Sequence, residues 1–414
     1  MERALDLSHV RERFPALSRV QDGRPVAFLD APGGSHVPET VIAAIADYLR
    51  RSNANLHGPF ATSVETDALV SDAHGAAADL LNADVDEVIF GPNATTLLFA
   101  LSRSIARTLG AGDEVVVTRL DHDANVRPWI LAAEDAGATV RWVDIRPDDV
   151  TLDEVSFADA LSERTRIVAF TLASNAVGTI TPARHLVSVV RERAPRALVA
   201  CDGVHLAQHR RIDVRALGAD LVVCSPYKVF GPHLGIAFGR REMLAQLRPY
   251  KVRPARDERP SAFETGTQSH EAFAGWVAAV DYLASLGDDV RGDRRAAIAS
   301  AFEAIAWWET GLARRFLDGA AKVPAIELYG IADVDRMDER TPTFAVRLRG
   351  QHPADTAKAL AERGIYVWDG NYYAVEVMER LDLETTGGAV RVGFCHYNTP
   401  AEVDRVLEAL DELG

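Results

Sequence analysis

Short apolar runs alternate with helical patterns in the central part of the chain, and this alternation constrains the fold more than any other feature. The runs are EVIF at 87–90, EVVVT at 114–118, RIVAF at 166–170, ALVAC at 197–201 and LVVC at 221–224. Segments with apolar residues at three- and four-residue spacing, typical of helices, separate them. The pattern therefore predicts an α/β fold with a large, mostly parallel sheet that helices cover on both faces.

The character of the chain changes near residue 270. Helical patterns dominate from 271 to about 319, and strands then alternate with helices up to the last residues. This change predicts a large domain over 26–270 and a smaller C-terminal α+β domain over 271–414, which the N-terminal segment 1–25 joins.

Charge and cysteine content limit the classes of function. The formal net charge is −15, which argues against nucleic acid or an anionic membrane as the main partner. Three cysteines, Cys201, Cys224 and Cys395, form neither a disulfide framework nor a zinc motif, and no metal site is predicted. The N-terminus has no signal-peptide pattern, and no apolar run reaches membrane-spanning length, so we expect a cytoplasmic protein that binds a small molecule.

Polar residues follow five of the predicted strands. Thr95, His122, Asn175, Asp202 and Lys228 each lie at or just after a strand end. Because the carboxyl ends of parallel strands meet at one edge of a sheet, we expect these side chains to share one pocket.

Lys228 lies in the segment SPYKVFGPHLG at 225–235, directly after the run LVVC. A lysine held near apolar walls can lose its proton and form a Schiff base with a carbonyl group. Asp202, 26 residues earlier, could keep a pyridine nitrogen protonated, as in enzymes that use pyridoxal phosphate. A solvated loop lysine and a turn aspartate are the ordinary alternatives.

Further candidates have simpler alternatives as well. The segment GPNATT at 91–96 joins a strand to a helix, where amides and hydroxyls could bind a phosphate together with Ser225. His122 could stack on a pyridine ring and transfer protons, and His205 could reach the phenolic oxygen of that ring. Arg391 could bind a substrate carboxylate with both guanidinium arms. A threonine cap, a loop histidine and a surface arginine are the alternatives.

These segments together resemble a known family. The motifs are VAFLDAPGGS, GPNATTLLFALS, DHDANVRPW, ASNAVGTITP, ACDGVHLAQH, SPYKVFGPHLG, FETGTQ and VRVGFCHYNTPAEVDRVL. In their order and spacing they are similar to class V aminotransferases, which are pyridoxal 5'-phosphate enzymes of fold type I, and most of all to the cysteine desulfurases and selenocysteine lyases in that class.

The resemblance assigns a role to each matching position. It implies that Lys228 binds the cofactor covalently and that His122 stacks on its ring and relays protons. The cofactor-binding residues that it implies are Asp202, His205, Asn175, Ala94, Thr95, Ser225, Tyr227 and Thr267. Thr267 matches a threonine that reaches the phosphate bound by the other subunit, which implies a homodimer with shared sites. The expected substrate-binding residues are Arg391, Asn371, Tyr373 and His57.

Two departures from the family pattern affect the expected reaction. Tyr227 stands where the family has histidine before the lysine, and its hydroxyl can still donate to a phosphate. The loop WDGNYYAV at 368–375 contains no cysteine, although desulfurases carry their sulfur-accepting cysteine there. A thiolate is needed to accept sulfur, so the sequence favours a β-lyase (C–S lyase) that acts on an L-amino acid without a persulfide step. An aminotransferase, an amino-acid epimerase and a non-catalytic cofactor-binding paralogue are the alternatives.

Overall fold

A computed structural model describes residues 5–288 and 292–414, and these residues form fourteen α-helices. The helices, in chain order, are Leu7–Glu12 (α1), Glu39–Arg51 (α2), Ala61–Leu81 (α3), Ala94–Ala106 (α4), Arg127–Ala136 (α5), Glu154–Ala160 (α6), Ala183–Arg193 (α7), Val214–Leu217 (α8), Arg241–Gln246 (α9), His270–Leu286 (α10), Arg294–Ala320 (α11), Pro353–Glu362 (α12), Val375–Arg380 (α13) and Pro400–Leu413 (α14).

Seven strands form the large sheet. They are Val88–Gly91 (β1), Glu114–Thr118 (β2), Thr139–Val143 (β3), Thr165–Thr171 (β4), Leu198–Asp202 (β5), Leu221–Cys224 (β6) and Gly235–Gly239 (β7). Their order across the sheet is β1-β7-β6-β5-β4-β2-β3, and only β7 runs antiparallel to its neighbours. The predicted α/β architecture with a mostly parallel sheet is thus confirmed.

Successive residues of the large-sheet strands face opposite sides, and each side has its own apolar core. In β1, Phe90 belongs to one core and Ile89 to the other, and Phe170 and Ala169 divide in the same way in β4. The interior strands are therefore largely apolar, as expected for a sheet covered on both faces, whereas the edge strand β3 includes Arg141.

A smaller antiparallel sheet lies in the C-terminal part. Its strands are Ile326–Tyr329 (β8), Thr343–Leu348 (β9), Trp368–Gly370 (β10) and Ala389–Gly393 (β11), in the order β8-β9-β11-β10. A third core, with Phe316 and Phe344 among its members, packs against it. The sequence pattern did not predict β8, because its four residues are all half-buried and show no clear alternation.

The run IYVW at 365–368, whose residues predict a single strand, forms two strands with different partners. Ile365–Tyr366 pairs in parallel with Ala27–Phe28, whereas Trp368 begins β10 and pairs with β11. The first pairing places the loop at 31–36 next to the C-terminal sheet. Two other short pairings join Val20–Gln21 to Arg24–Pro25 and Ile145–Arg146 to Thr151–Leu152.

Helix α10 follows the predicted domain boundary at residue 270 and packs on the large sheet. Its Phe273 ring lies 4.6 Å from the Phe90 ring of β1, measured between centroids. The division into 26–270 and 271–414 stays a prediction. Among the described residues, no helix combines the length and the apolar character that a membrane crossing requires.

Candidate active site

Two adjoining cavities open at the carboxyl ends of the parallel strands. The inner cavity has a volume of about 100 Å³ and the outer one about 530 Å³. His122, Asn175, Tyr227 and Lys228 line both, so the two form one continuous space. The outer cavity reaches the C-terminal sheet, and the site therefore lies between the two sheets.

Lys228 and Asp202 lie at the base of the inner cavity. Lys228 ends a short 3₁₀ turn, Pro226–Lys228, directly after β6, and Asp202 is the last residue of β5. Each is only 5% exposed. Burial lowers the pKa of the Lys228 amine, as does the nearby Arg391, while Asp202 acts in the opposite direction. Burial raises the pKa of Asp202, although the Val204 N–H, which donates to its carboxylate at 2.8 Å, and Lys228 oppose this.

His122 is the N-terminal cap of the short 3₁₀ turn Asp123–Asn125. The backbone N–H of Ala124 donates to its Nδ1 at 3.0 Å. Burial, together with Lys228 and Arg391, lowers the pKa of His122 to about 3. The ring is therefore neutral at physiological pH and carries its proton on Nε2, which leaves that N–H free to act in the cavity.

Asp121, the residue before His122, belongs to a buried network that the sequence did not predict. The Thr118 hydroxyl donates to its carboxyl group, and Asn125 Nδ2 donates to Oδ1 at 2.7 Å. Trp129 Nε1 in turn donates to Asn125 Oδ1 at 3.0 Å. Burial raises the pKa of Asp121 to about 8, and the neighbouring Asp202 adds to this effect. The negative charge of Asp202 therefore favours the neutral form of Asp121.

The N-terminus of helix α4 forms another wall of the inner cavity. Asn93 caps this helix by accepting from the Thr96 N–H at 2.8 Å, and Ala94, Thr95 and Ser225 line the cavity beside it. Uncompensated N–H groups at a helix start attract anions. Gly235 of β7 permits the close approach, because a Cβ at this position would lie 2.3 Å from the Asn93 carbonyl carbon.

Asn175 and His205 present unpaired polar atoms to the inner cavity. Asn175 Nδ2 donates to the Tyr372 carbonyl at 2.9 Å, and His205 Nε2 lies 3.1 Å from the hydroxyls of Thr341 and Thr343. Asn175 Oδ1 and His205 Nδ1 have no hydrogen-bond partner among the described residues. Buried polar atoms are rarely left unpaired, and these two atoms therefore indicate a ligand.

Arg391 lies at the base of the outer cavity, in the middle of β11. Its Nη1 donates to the Asn175 carbonyl at 3.0 Å, and its guanidinium carbon lies 4.4 Å from the centroid of the Tyr372 ring. Burial lowers the pKa of Arg391 to about 10, so the side chain stays positively charged at neutral pH. Its Nε has no partner among the described residues, which leaves a buried donor for an incoming anion.

The loop after β10 closes one side of the outer cavity. Asn371 Nδ2 donates to Glu384 at 2.9 Å, and Asn371 Oδ1 accepts from the Tyr373 N–H at 3.0 Å. The Tyr373 ring stacks beside His122, with 5.3 Å between centroids and 16° between planes. Both amide ends of Asn371 are thus occupied within the loop, whereas the Tyr373 ring faces the opening.

The three cysteines lie away from this loop. Cys201, Cys224 and Cys395 are all free and buried, and burial raises the pKa of each thiol. Within residues 5–288 and 292–414, no group of three or more His, Cys, Asp or Glu side chains is arranged to hold a metal ion.

A sequence profile named aminotransferase class-V matches residues 27–406, which is nearly the whole chain. The chain belongs to the class V aminotransferase family.

Relatives of this class V enzyme carry two kinds of name. An aminotransferase-like protein, FGM3 of Gibberella zeae, is 32% identical over 99% of this chain and 98% of its own length. A probable cysteine desulfurase of Streptomyces coelicolor is 32% identical over 99% of this chain and 97% of its own. The apo structure of a cysteine desulfurase from Thermococcus onnurineus NA1 has the same fold, with a TM-score of 0.88 at 23% identity, over 99% of this chain and 98% of that one.

Class V enzymes use pyridoxal 5'-phosphate, and the residues of the inner cavity fit this group. A phosphate needs a site rich in N–H and hydroxyl donors, which the start of α4 and Ser225 provide. A pyridine ring with one hydroxyl needs polar partners at its edge, which Asp202, Asn175 Oδ1 and His205 Nδ1 provide. A buried amine is available in Lys228.

Most of the residues predicted from sequence come together in this class V site. Those that line the two cavities are Ala94, Thr95, His122, Asn175, Asp202, His205, Ser225, Tyr227, Lys228, Asn371, Tyr373 and Arg391. His57 and Thr267 do not line them: both are exposed, and His57 Nδ1 lies 3.1 Å from Asp67. The roles predicted for these two residues stay predictions.

Several lining residues were not predicted as site residues. Pro32, Gly33, Trp368, Asp369 and Gly370 also line the outer cavity. The glycines of the loop APGGSH were a signal, because glycines permit a close approach between chain segments. Nothing in the local pattern connects that loop with Trp368, however, since their contact depends on the parallel pairing of Ala27–Phe28 with Ile365–Tyr366.

Proposed function

We propose that this class V enzyme is a pyridoxal phosphate-dependent β-lyase that cleaves the C–S bond of an L-cysteine derivative without a persulfide step. In the overall reaction the Cβ–S bond breaks and the sulfur leaves as a thiolate with the electron pair. The remaining enamine reacts with water, giving pyruvate and ammonium. The reaction needs no oxidant, no reductant and no protein thiol.

The observation that carries the proposal is the absence of a usable thiol. The loop at 368–375 has no cysteine, and Tyr373 occupies its exposed tip. Each of the three cysteines is at most 1% exposed, and burial raises the pKa of their thiols, which disfavours the reactive thiolate. A sulfur atom released in the cavity therefore has no protein acceptor and leaves with its own substituent.

The cofactor, when bound, supplies an electron sink for the negative charge that develops at Cα of the amino acid. Lys228 holds the cofactor and afterwards moves the Cα proton, and its lowered pKa suits both tasks because a neutral amine is the reactive form. Asp202 offers a negative charge to the pyridine nitrogen. The start of α4, with Thr95 and Ser225, binds the phosphate.

Arg391 binds the α-carboxylate of the substrate. Its charge is buried and its Nε is unpaired, so a carboxylate that enters the outer cavity gains a charge-assisted hydrogen bond that is not exposed to water. His122 is neutral and presents Nε2–H to the cavity, where it can donate a hydrogen bond to the departing sulfur while water supplies the proton that the thiolate takes up.

We further propose that the active form is a homodimer. Thr267 and His57 are exposed and lie outside both cavities of their own chain, which is consistent with a contribution to the site of a second copy. Light scattering of the holoenzyme should give twice the mass of the chain, and a monomer with full activity would contradict this part of the proposal.

The test is a product assay with L-cystine, L-cysteine and S-substituted L-cysteines. The proposal predicts that pyruvate and the sulfur product form together, in equal amounts and over many turnovers. That product is sulfide from L-cysteine, cysteine persulfide from L-cystine and a thiol from an S-substituted L-cysteine. If the oxo acid instead keeps the whole side chain, and forms once per site unless an acceptor oxo acid is added, the enzyme is an aminotransferase. Loss of optical activity without any product would identify an epimerase.

A further inference from the structure

Two large aromatic side chains stand at the mouth of the outer cavity. Trp368 is 54% exposed and Tyr373 is 70% exposed, and both line the cavity. We call this pair the aromatic clamp. Exposed rings that border a cavity are typical of sites that bind an apolar ligand, because such a ligand removes the apolar surface of the rings from water.

Trp368 is positioned next to Arg391. The two residues are directly opposite each other in the antiparallel pair of β10 and β11, so their side chains lie on the same face of the sheet. Gly33 lies close to both side chains. A Cβ on Gly33 would lie 2.6 Å from Trp368 Nε1 and 3.4 Å from Arg391 Nη2. A ligand whose carboxylate is bound by Arg391 therefore lies alongside the indole.

Tyr373 is held in place by its backbone. Tyr372 and Tyr373 both have left-handed conformations, with φ of 54° and 60°, which are unfavourable for aromatic residues. Their carbonyls accept from the other domain: Asn175 Nδ2 donates to that of Tyr372, and the Asp123 N–H donates to that of Tyr373 at 2.7 Å. The strained loop thus fixes the exposed ring over the opening, next to His122.

The size and charge of the cavity restrict its ligand. A volume of about 530 Å³ is typical of a pocket for a drug-sized ligand, and the reacting end of the cofactor and the amino acid share this space. Its positive charge, Arg391, is buried at the base, and the exposed Asp369 provides a negative charge near the mouth. The distal part of the ligand is therefore neutral or cationic and not acidic.

We propose that the substrates are L-cysteine conjugates whose sulfur carries an aromatic group, and that Trp368 and Tyr373 bind this group. The inference rests on the proposed function for the lyase step and adds the class of substrate. For S-phenyl-L-cysteine, the Cβ–S bond breaks and thiophenolate leaves with the electron pair. Water then converts the enamine to pyruvate and ammonium, and the thiolate takes up a proton.

The kinetic test compares kcat/KM for S-phenyl-L-cysteine and S-methyl-L-cysteine with the holoenzyme. We expect the phenyl substrate to be preferred about tenfold or more, and Trp368→Leu or Tyr373→Ala to reduce this ratio about three- to tenfold each. Tyr373→Phe keeps the ring and should keep the ratio. Trp307→Ala is the matched control, because Trp307 is 44% exposed and lines neither cavity.

A binding measurement separates this inference from the lyase proposal. Isothermal titration of the holoenzyme with L-phenylalanine and L-alanine should give tighter binding of L-phenylalanine, and the clamp variants should lose the difference. If the two conjugates react equally well and the variants change nothing, the aromatic inference is wrong while the lyase proposal stands. If the binding preference is present but no conjugate yields pyruvate, the lyase proposal is wrong and the aromatic site stands.

Discussion

The two cavities of this class V enzyme differ in how their side chains are held. In the inner cavity, Asp202 and Lys228 are buried at the ends of adjacent parallel strands, and burial shifts the pKa of each. In the outer cavity, Trp368 and Tyr373 are exposed, and backbone pairing and backbone hydrogen bonds position them. We therefore expect the sheet edge to determine the chemistry of the cofactor and the loop after β10 to determine which substrate reacts.

The largest expected effect comes from the inner cavity. Lys228→Ala should remove the visible absorbance of the covalently bound cofactor and lower the rate of product formation about a thousandfold or more, because the amine that holds the cofactor and moves the proton is lost. Absorbance spectra and pyruvate assays measure this. Lys358→Ala, on the exposed face of α12, is the control and should behave as wild type. Unchanged turnover in Lys228→Ala would refute the assignment.

Two aspartates permit a direct comparison of the cavities. Asp202→Asn should lower kcat about a hundredfold, because it removes the buried negative charge that Asp202 offers to the pyridine nitrogen of the cofactor. Asp369→Asn, at the exposed edge of the outer cavity, should change kcat less than about threefold because water screens its charge. Similar losses in both variants would mean that the two cavities are not functionally distinct.

The pH dependence of cofactor binding tests the lowered pKa of Lys228. Only the neutral amine forms the covalent bond, so the rate of reconstitution from apoprotein rises with pH and levels off above the pKa. Because burial lowers that pKa, we expect the plateau to begin well below pH ~10, where an ordinary lysine titrates. Stopped-flow absorbance gives the profile. A rate that still increases tenfold per pH unit above pH ~9 would show an unperturbed lysine.

The smallest effects concern stability. Gly235→Ala should lower the free energy of unfolding by about 1–3 kcal/mol, because a Cβ would collide with the backbone at Asn93. Tyr373→Ala should change it by less than about 0.5 kcal/mol, because the ring is 70% exposed. Urea unfolding of both variants measures the difference. A larger loss of unfolding free energy in Tyr373→Ala would show that the ring contributes to the stability of the fold.

The inner cavity was largely predictable from the sequence. Parallel strands end at one edge, so Thr95, His122, Asn175, Asp202 and Lys228 could be brought together from their positions after apolar runs. The residues that form hydrogen bonds next to these site residues were harder to predict. Asp121 forms a network with Thr118, Asn125 and Trp129. This network depends on side-chain directions within a tight turn, and the periodicity of the sequence does not reveal those directions.

The outer cavity was predictable only in part. Arg391 was a candidate from its place in a predicted strand, and Tyr373 came from the resemblance to the family, but Gly33 and Trp368 were not predicted. Their contact requires two segments from opposite ends of the chain to pair in parallel, and it requires the run at 365–368 to divide between two sheets. Long-range pairing of this kind leaves no local signal in the residues involved.

The most direct test of the central claim follows the sulfur atom. The holoenzyme is incubated with L-cysteine or L-cystine, treated with an alkylating reagent under denaturing conditions, and examined by intact-protein and peptide mass spectrometry. We predict that pyruvate accumulates while Cys201, Cys224 and Cys395 carry no additional sulfur. A persulfide on any of the three, formed as fast as the product, would contradict it.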